Sequence, residues 1–218
     1  YNPAGLGIYR VAEMTFSTGL NFANTSAFTN DLGLKDDKTK LTFGNFGVVL
    51  PVKVDESYLK YVQISTSFNR LKTFSNNVAM QRNGLTSSFI DAVVMNDIVE
   101  YNDAENEFIR AGVVELDTNT YSISSFFEVG TFNQFRRIKY NGALNEFAFS
   151  LSGNINDNLY FGITAGIPIA NMTTLGTLTE SKIDINGEEV ASYVHTTQQD
   201  LVCAGVNLKL GAIFKPIS

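Results

Sequence analysis

Apolar and polar residues alternate with a period of two in several stretches of this chain, the pattern of strands that present two chemically different faces. The clearest is 159–169, where Leu159, Phe161, Ile163, Ala165, Ile167 and Ile169 fall on one face and Tyr160, Gly162, Thr164, Gly166 and Pro168 on the other. In 202–214, Val202, Ala204, Val206, Leu208, Leu210, Ala212 and Phe214 oppose Cys203, Gly205, Asn207, Lys209, Gly211 and Ile213. Residues 145–153 set Phe147, Phe149 and Leu151 against Glu146, Ala148, Ser150 and Ser152. Weaker alternation marks 15–22 and 61–69, while 41–50 is rich in β-formers without a clear division of faces. The pattern predicts six main antiparallel strands in neighbour order.

The connections left between these strands alternate in length, with 24–40 long, 51–57 short, 71–141 very long, 154–158 short and 171–199 long. Up-and-down membrane barrels are built this way, with short periplasmic turns and longer external loops on strands of about 9–11 residues. A soluble sandwich, such as an extracellular adhesin, has no reason to sort its loops by parity. The expected fold class is therefore all-β, an up-and-down antiparallel transmembrane β-barrel. Single-chain barrels need about eight strands, so residues 1–218 are expected to form one partial barrel domain of a larger whole. Within 71–141, Ser88-Phe89-Ile90-Asp91 fits a capping box, and the apolar arc after it predicts a helix over 88–100, with a shorter one over 104–111. Within 171–199, Asn186-Gly187 predicts a type I′ hairpin.

Composition sharpens this picture. Only 17% of residues are charged, and Gly 17, Phe 17 and Tyr 9 with no Trp describe a strand-rich, aromatic chain. The net charge is −6 and no basic cluster exceeds Arg136-Arg137, which argues against nucleic acid as a partner. One cysteine, Cys203, and one histidine, His195, supply neither a disulfide framework nor a Cys/His zinc site. No cofactor is expected, and no Ser-His-Asp, Cys-His or phosphate-loop pattern argues for an enzyme.

Asn2-Pro3-Ala4-Gly5-Leu6-Gly7-Ile8-Tyr9-Arg10 resembles the FadL/TodX family of bacterial outer-membrane transporters for hydrophobic compounds, particularly its Bacteroidetes-type members. Two further stretches are similar, 144–168 and 205–216, and together they cover most of the chain in the expected order. The resemblance implies a barrel of about fourteen strands with an N-terminal hatch inside it, residues 1–12 being the end of the hatch and the passage into the first strand. It also implies a bacterial outer-membrane location and uptake of apolar molecules such as fatty acids. Most of the hatch and the later strands are expected to lie outside 1–218. The segment 71–141 would correspond by position to the large external loop that first captures ligand, and 171–199 to a second external loop.

These readings nominate residues. Asn2, Pro3 and Ala4 form the hatch motif, since Asn bonds backbone groups and Pro fixes its own φ. Phe89 and Val93 on the helix, with Phe126 and Phe127 nearby, are candidates for an apolar substrate groove, against the plainer reading that they pack the loop onto the rim. Glu146, Tyr160, Thr164, Asn207 and Lys209 should face the lumen, because charge avoids lipid. Expected partners are membrane lipid, a hydrophobic small-molecule ligand and, on the alternative reading of an assembly or surface-anchoring component, proteins bound through the external loops.

Overall fold

The computed structural model describes residues 2–29, 32–54, 58–95, 106–117, 119, 122–127 and 129–216. A 3₁₀ segment, Pro3–Ile8, opens the chain and leads into three long strands: β1 (Glu13–Thr29), β2 (Leu32–Lys53) and β3 (Leu59–Leu85). A connecting segment carries α1 (Phe89–Met95), α2 (Glu107–Arg110) and a small hairpin of β4 (Glu115–Asp117) and β5 (Ser122–Ser124). Four strands complete the chain: β6 (Thr131–Ile155), β7 (Leu159–Ile183), β8 (Glu189–Ala204) and β9 (Asn207–Phe214). The fold is all-β, and its main sheet is antiparallel and up-and-down in the order β1-β2-β3-β6-β7-β8, with β9 also on β7.

β8 and β9 act as one strand with a break. β7 pairs its lower half with β9, up to Gly166↔Asn207, and its upper half with β8, from Ile169↔Ala204. Between these pairs stands Pro168, which has no N–H to give the ladder, and only its carbonyl is used, accepting from Gly205 N at 2.9 Å. Among the described residues the sheet does not close, and β1 and the β8/β9 strand are its edges.

The strands are much longer than the alternation predicts. Most of the expected connections 24–40 and 171–199 are strand, and 71–141 gives up its ends to β3 and β6. The strand ends do sort by side: Lys53, Leu59 and the 156–158 turn lie at one end of the sheet, and the junctions of β1 with β2, β3 with β6 and β7 with β8 at the other. In the 156–158 turn Asn156 and Asp157 take φ of 50° and 60°, a conformation these two side chains tolerate. The β7–β8 turn is not type I′. Only Gly187 has positive φ, at 87°, and the Asp184 carboxylate accepts from the Asn186 and Glu188 amides at 2.8 Å each, the pattern of a longer loop with Gly in the left-handed position. Of the expected helices, 89–95 and 107–110 are helical, and 96–105 lies outside the described residues.

The two faces of the sheet differ in chemistry. Its outward rows are apolar and exposed, with Phe149 at 57%, Phe161 at 42% and Leu208 at 64% of full accessibility. Its inward rows are polar and buried: Gln63 at 0%, Thr164 at 1%, Ser152 at 1% and Glu146 at 3%. Phe16, Phe43, Phe68 and Phe147 form a chain of ring contacts across β1, β2, β3 and β6, with centroids 5.0–5.6 Å apart. The outward row of β7 stays apolar from Leu159 to Ile169 and turns polar at Asn171. Those 11 residues, at about 3.4 Å each, span about 37 Å along the strand.

Candidate functional site

The inward face of the lower sheet holds the N-terminal segment. Asn2 caps it, its Oδ1 accepting from Ala4 N at 3.0 Å while its Nδ2 donates to the Ala212 carbonyl of β9 at 3.3 Å. Pro3, at the first position of the 3₁₀ turn, has its φ preset and lacks the N–H that would go unused there. Pro3, Ala4, Leu6 and Gly7 are buried against β3, β6, β7 and β9. The seat is made by glycines: a Cβ on Gly162 would lie 2.5 Å from Pro3 C and 2.8 Å from Ala4 N, and one on Gly211 would run into the Asn2 amide.

Two further groups hold the segment. Gln63 of β3, fully buried, donates from Nε2 to the Gly7 and Tyr9 carbonyls at 3.1 and 3.0 Å, and its Oε1 accepts from Ser152 at 3.1 Å. Where the segment leaves the sheet, Arg10 meets Asp157 in the 156–158 turn at 2.6 Å, and Lys60 meets the same carboxylate at 2.8 Å. The Lys60 bond first, then those from Asn154 and Arg10, hold the Asp157 carboxyl well below the usual carboxylate range. Neither Gln63 nor the Asp157 clasp is legible as a site in the sequence. Gln63 is a polar residue in an alternating strand, and the Arg10–Asp157 pair joins residues 147 positions apart.

Above the segment the inward side chains of β6, β7 and β9 converge. Glu146 accepts from Lys209 Nζ at 2.9 and 3.0 Å and from Asn207 Nδ2 at 2.5 Å. Thr164 and Ser150 share a hydrogen bond at 2.7 Å. Tyr160, 3% exposed, lies beneath Lys215, whose Nζ is 4.9 Å from the ring centroid. All five residues nominated for the lumen thus share the polar face, and three of them form one cluster.

A cavity of about 400 Å³ lies between this cluster, the N-terminal segment at Leu6 and Tyr9, and the inward side chains of β2 and β3. It reaches Asn45, Asn69 and Leu71. That is where the β2–β3 ladder ends: the pairs run from Lys53↔Tyr61 to Asn45↔Asn69, and above them β2 pairs only with β1. Asn77 of β3 donates to Asp36 of β2 across the gap at 3.2 Å, while Lys40 and Lys38 of β2 reach past β3 to Asn141 Oδ1 and the Tyr140 carbonyl of β6 at 2.7 and 3.0 Å.

At the upper end the connecting segment folds onto the sheet around its own apolar core of Ile90, Val93, Phe108, Val114, Phe127 and Phe132. Its anchor is Glu180 of β7, fully buried, which accepts from Ser88 Oγ, from Phe89 N at 3.0 Å, from Gln134 Nε2 and from Tyr193 Oη at 3.0 Å. Burial first, and then the adjacent Glu180 charge, push the Tyr193 hydroxyl far up. The capping box forms, with Ser88 N on Asp91 Oδ2 at 2.8 Å and Ile90 N on Ser88 Oγ at 3.0 Å. His195, within the expected connection 171–199, sits on β8 with its ring 5.5 Å from Phe89 and 5.2 Å from Phe108.

This arrangement divides the four residues nominated for an apolar groove. Val93, at 0%, and Phe127, at 5%, are core of the connecting segment and offer no surface to a ligand. Phe126 is 59% exposed, with Lys182 Nζ 4.2 Å from its ring centroid. Phe89 is half-buried and borders two adjoining cavities of about 300 and 340 Å³ that also share Arg136 and Leu178.

No family model, no curated protein and no solved structure matches this chain.

Proposed function

We propose that the chain is part of the wall and hatch of an outer-membrane β-barrel that takes up hydrophobic small molecules. The carrying observation is the cavity between the N-terminal segment and the polar face, at the level where the β2–β3 ladder stops. The surroundings agree with it. Tilted roughly 45°, as strands of such barrels are, the apolar row of β7 from Leu159 to Ile169 would stand about 26 Å tall, close to their roughly 25 Å apolar belt. A soluble domain rarely exposes so large an apolar face. The edges β1 and β8/β9 then require further strands, since open backbone in hydrocarbon costs several kcal/mol per unpaired group. A total of about fourteen strands is the number the family resemblance implies. Parting of β2 from β3 beside a cavity favours passage of a molecule over a purely protein-binding role, for which a sealed wall serves as well.

The test is uptake of a fluorescent hydrocarbon by vesicles containing the full-length protein, against protein-free vesicles, with folding checked by heat-modifiable migration on a gel. Phe89→Ser with Phe126→Ser alters accessible apolar residues and leaves the buried Val93 and Phe127 in place. The expected result is uptake above the protein-free level, reduced in the double variant. Uptake no faster than in protein-free vesicles overturns the transport reading and leaves the loops as a surface for protein partners.

A further inference from the structure

We propose that the cavity beside the N-terminal segment binds the head group of an uncharged, hydroxyl-bearing amphiphile, and that the Glu146–Lys209 pair excludes charged head groups from it. This rests on the transport reading and names the class of molecule the interior accepts.

The chemistry of the lining carries the inference. At about 400 Å³ the cavity lies in the range of small-molecule sites, and a few polar groups are set among its apolar walls. Ser65, Ser67, Ser150 and Thr164 contribute hydroxyls, and Asn45 and Asn69 contribute amides. Ser150 and Thr164 are buried to 8% and 1% exposure, which makes them fixed parts of a wall rather than surface residues. Hydroxyls and amides both donate and accept, so they match a polyol better than they match either an anion or a cation.

Among the described residues, the charges lining the cavity are Glu146 and Lys209, and these satisfy each other. Lys209 reaches both carboxylate oxygens, and Asn207 adds a third bond to Oε1. A carboxylate head group would have to take Lys209 from a buried partner, and an ammonium head group would have to take Glu146. The first exchange strands the buried Glu146 carboxylate, which is strongly unfavourable, and the second leaves the partly exposed Lys209 facing a second cation. A neutral hydroxylated head group leaves the Glu146–Lys209 pair intact, while Leu6, Val49 and Leu71 offer apolar wall to its tail. Sites built to hydrogen-bond a hydroxyl also reject analogues that lack it.

The experiment compares three probes of equal chain length, octyl β-glucoside, octanoate and octyltrimethylammonium. Their binding to the full-length protein in lipid nanodiscs is read by calorimetry against empty nanodiscs. The glucoside is expected to bind about tenfold tighter than either charged probe. Thr164→Val, an equal-volume change, should weaken glucoside binding about tenfold and leave the charged probes unmoved. Glu146→Gln frees Lys209 and should reverse the preference in favour of octanoate, whereas Lys209→Met should favour the ammonium probe. If Glu146→Gln does not assemble, Thr164→Val decides alone. Octanoate bound by the unaltered protein as tightly as the glucoside, or glucoside binding indifferent to Thr164→Val, overturns the inference. Hydrocarbon uptake separates the two failures: uptake without head-group selectivity sinks the inference and spares the transport reading, while glucoside binding without uptake does the reverse.

Discussion

Leu208→Arg is the sharpest probe of which face meets lipid. Leu208 sits on the outward row of β9 opposite Ala165, six residues up from Leu159, where the apolar row of β7 begins. At about 3.4 Å per residue and a tilt near 45°, that is roughly 14 Å of height in a band about 25 Å tall, close to the midplane. An arginine there should cost about 2–4 kcal/mol of folding free energy in a bilayer. The same change at a 64% exposed leucine in water should fall within about 0.5 kcal/mol. The two outcomes differ by a factor of ten or more in the folding constant, measurable by urea titration of the full-length protein folding into phosphatidylcholine vesicles. Phe214→Arg, at the lower edge of the band, is the internal control and should cost only about 0–1 kcal/mol. Equal costs at 208 and 214, or none at 208, would refute the assignment of this face to lipid.

Three other outcomes are expected. Gly162→Ala places a methyl group against the Pro3 and Ala4 backbone and should displace the N-terminal segment at about 1–3 kcal/mol; faster thiol labelling of Ala4→Cys, in a Cys203→Ser background, reports it, and unchanged labelling rejects the glycine seat. The Asp157 clasp should depend on acid: its carboxyl is depressed in the folded state, so its contribution is complete above the unfolded value of about 4 and fades as pH falls below it. Proteolytic nicking near Arg10 should therefore rise as pH drops from 5 to 3 in the native protein, whereas Asp157→Asn should be nicked readily across that range. Glu180→Ala leaves the donors of Ser88, Phe89, Gln134 and Tyr193 without their acceptor and should loosen the segment at about 1–3 kcal/mol. Faster hydrogen exchange in α1 with unchanged protection in the lower part of β7 is the signature.

What the sequence reveals follows from where the two faces differ. Between Leu159 and Ile169 one face is apolar and the other polar, so alternation marks the strand. Beyond Asn171 the same strand reads Met-Thr-Thr-Leu-Gly-Thr-Leu-Thr-Glu, mixed on both sides, and the period-2 signal fades although the ladder to β6 continues unbroken to Ile183. β2 is obscured for another reason: an irregularity in its pairing with β1, opposite Ser17 and Thr18, shifts the alternation within 41–50. The capping box at Ser88 is local and therefore legible. Its link to Glu180 spans 92 positions, and the Glu146–Lys209 pair spans 63, distances at which only the sheet register brings side chains together. Val93 stayed open in the sequence because an apolar helical arc looks the same whether it meets a ligand or its own neighbours.

Strand length has a kinetic consequence. β7 continues 14 residues beyond Ile169, from 170 to 183. At the same rise and tilt that is about 34 Å of height above the apolar band. In the proposed setting Phe89 and Phe126 stand well clear of the lipid head groups. A molecule reaching them comes from the surrounding fluid, not from a pool already partitioned into the bilayer. The rate of first encounter should then scale with the dissolved concentration of the compound and be indifferent to the acyl composition of the membrane below, the reverse of what holds for a carrier that collects its cargo from within the leaflet.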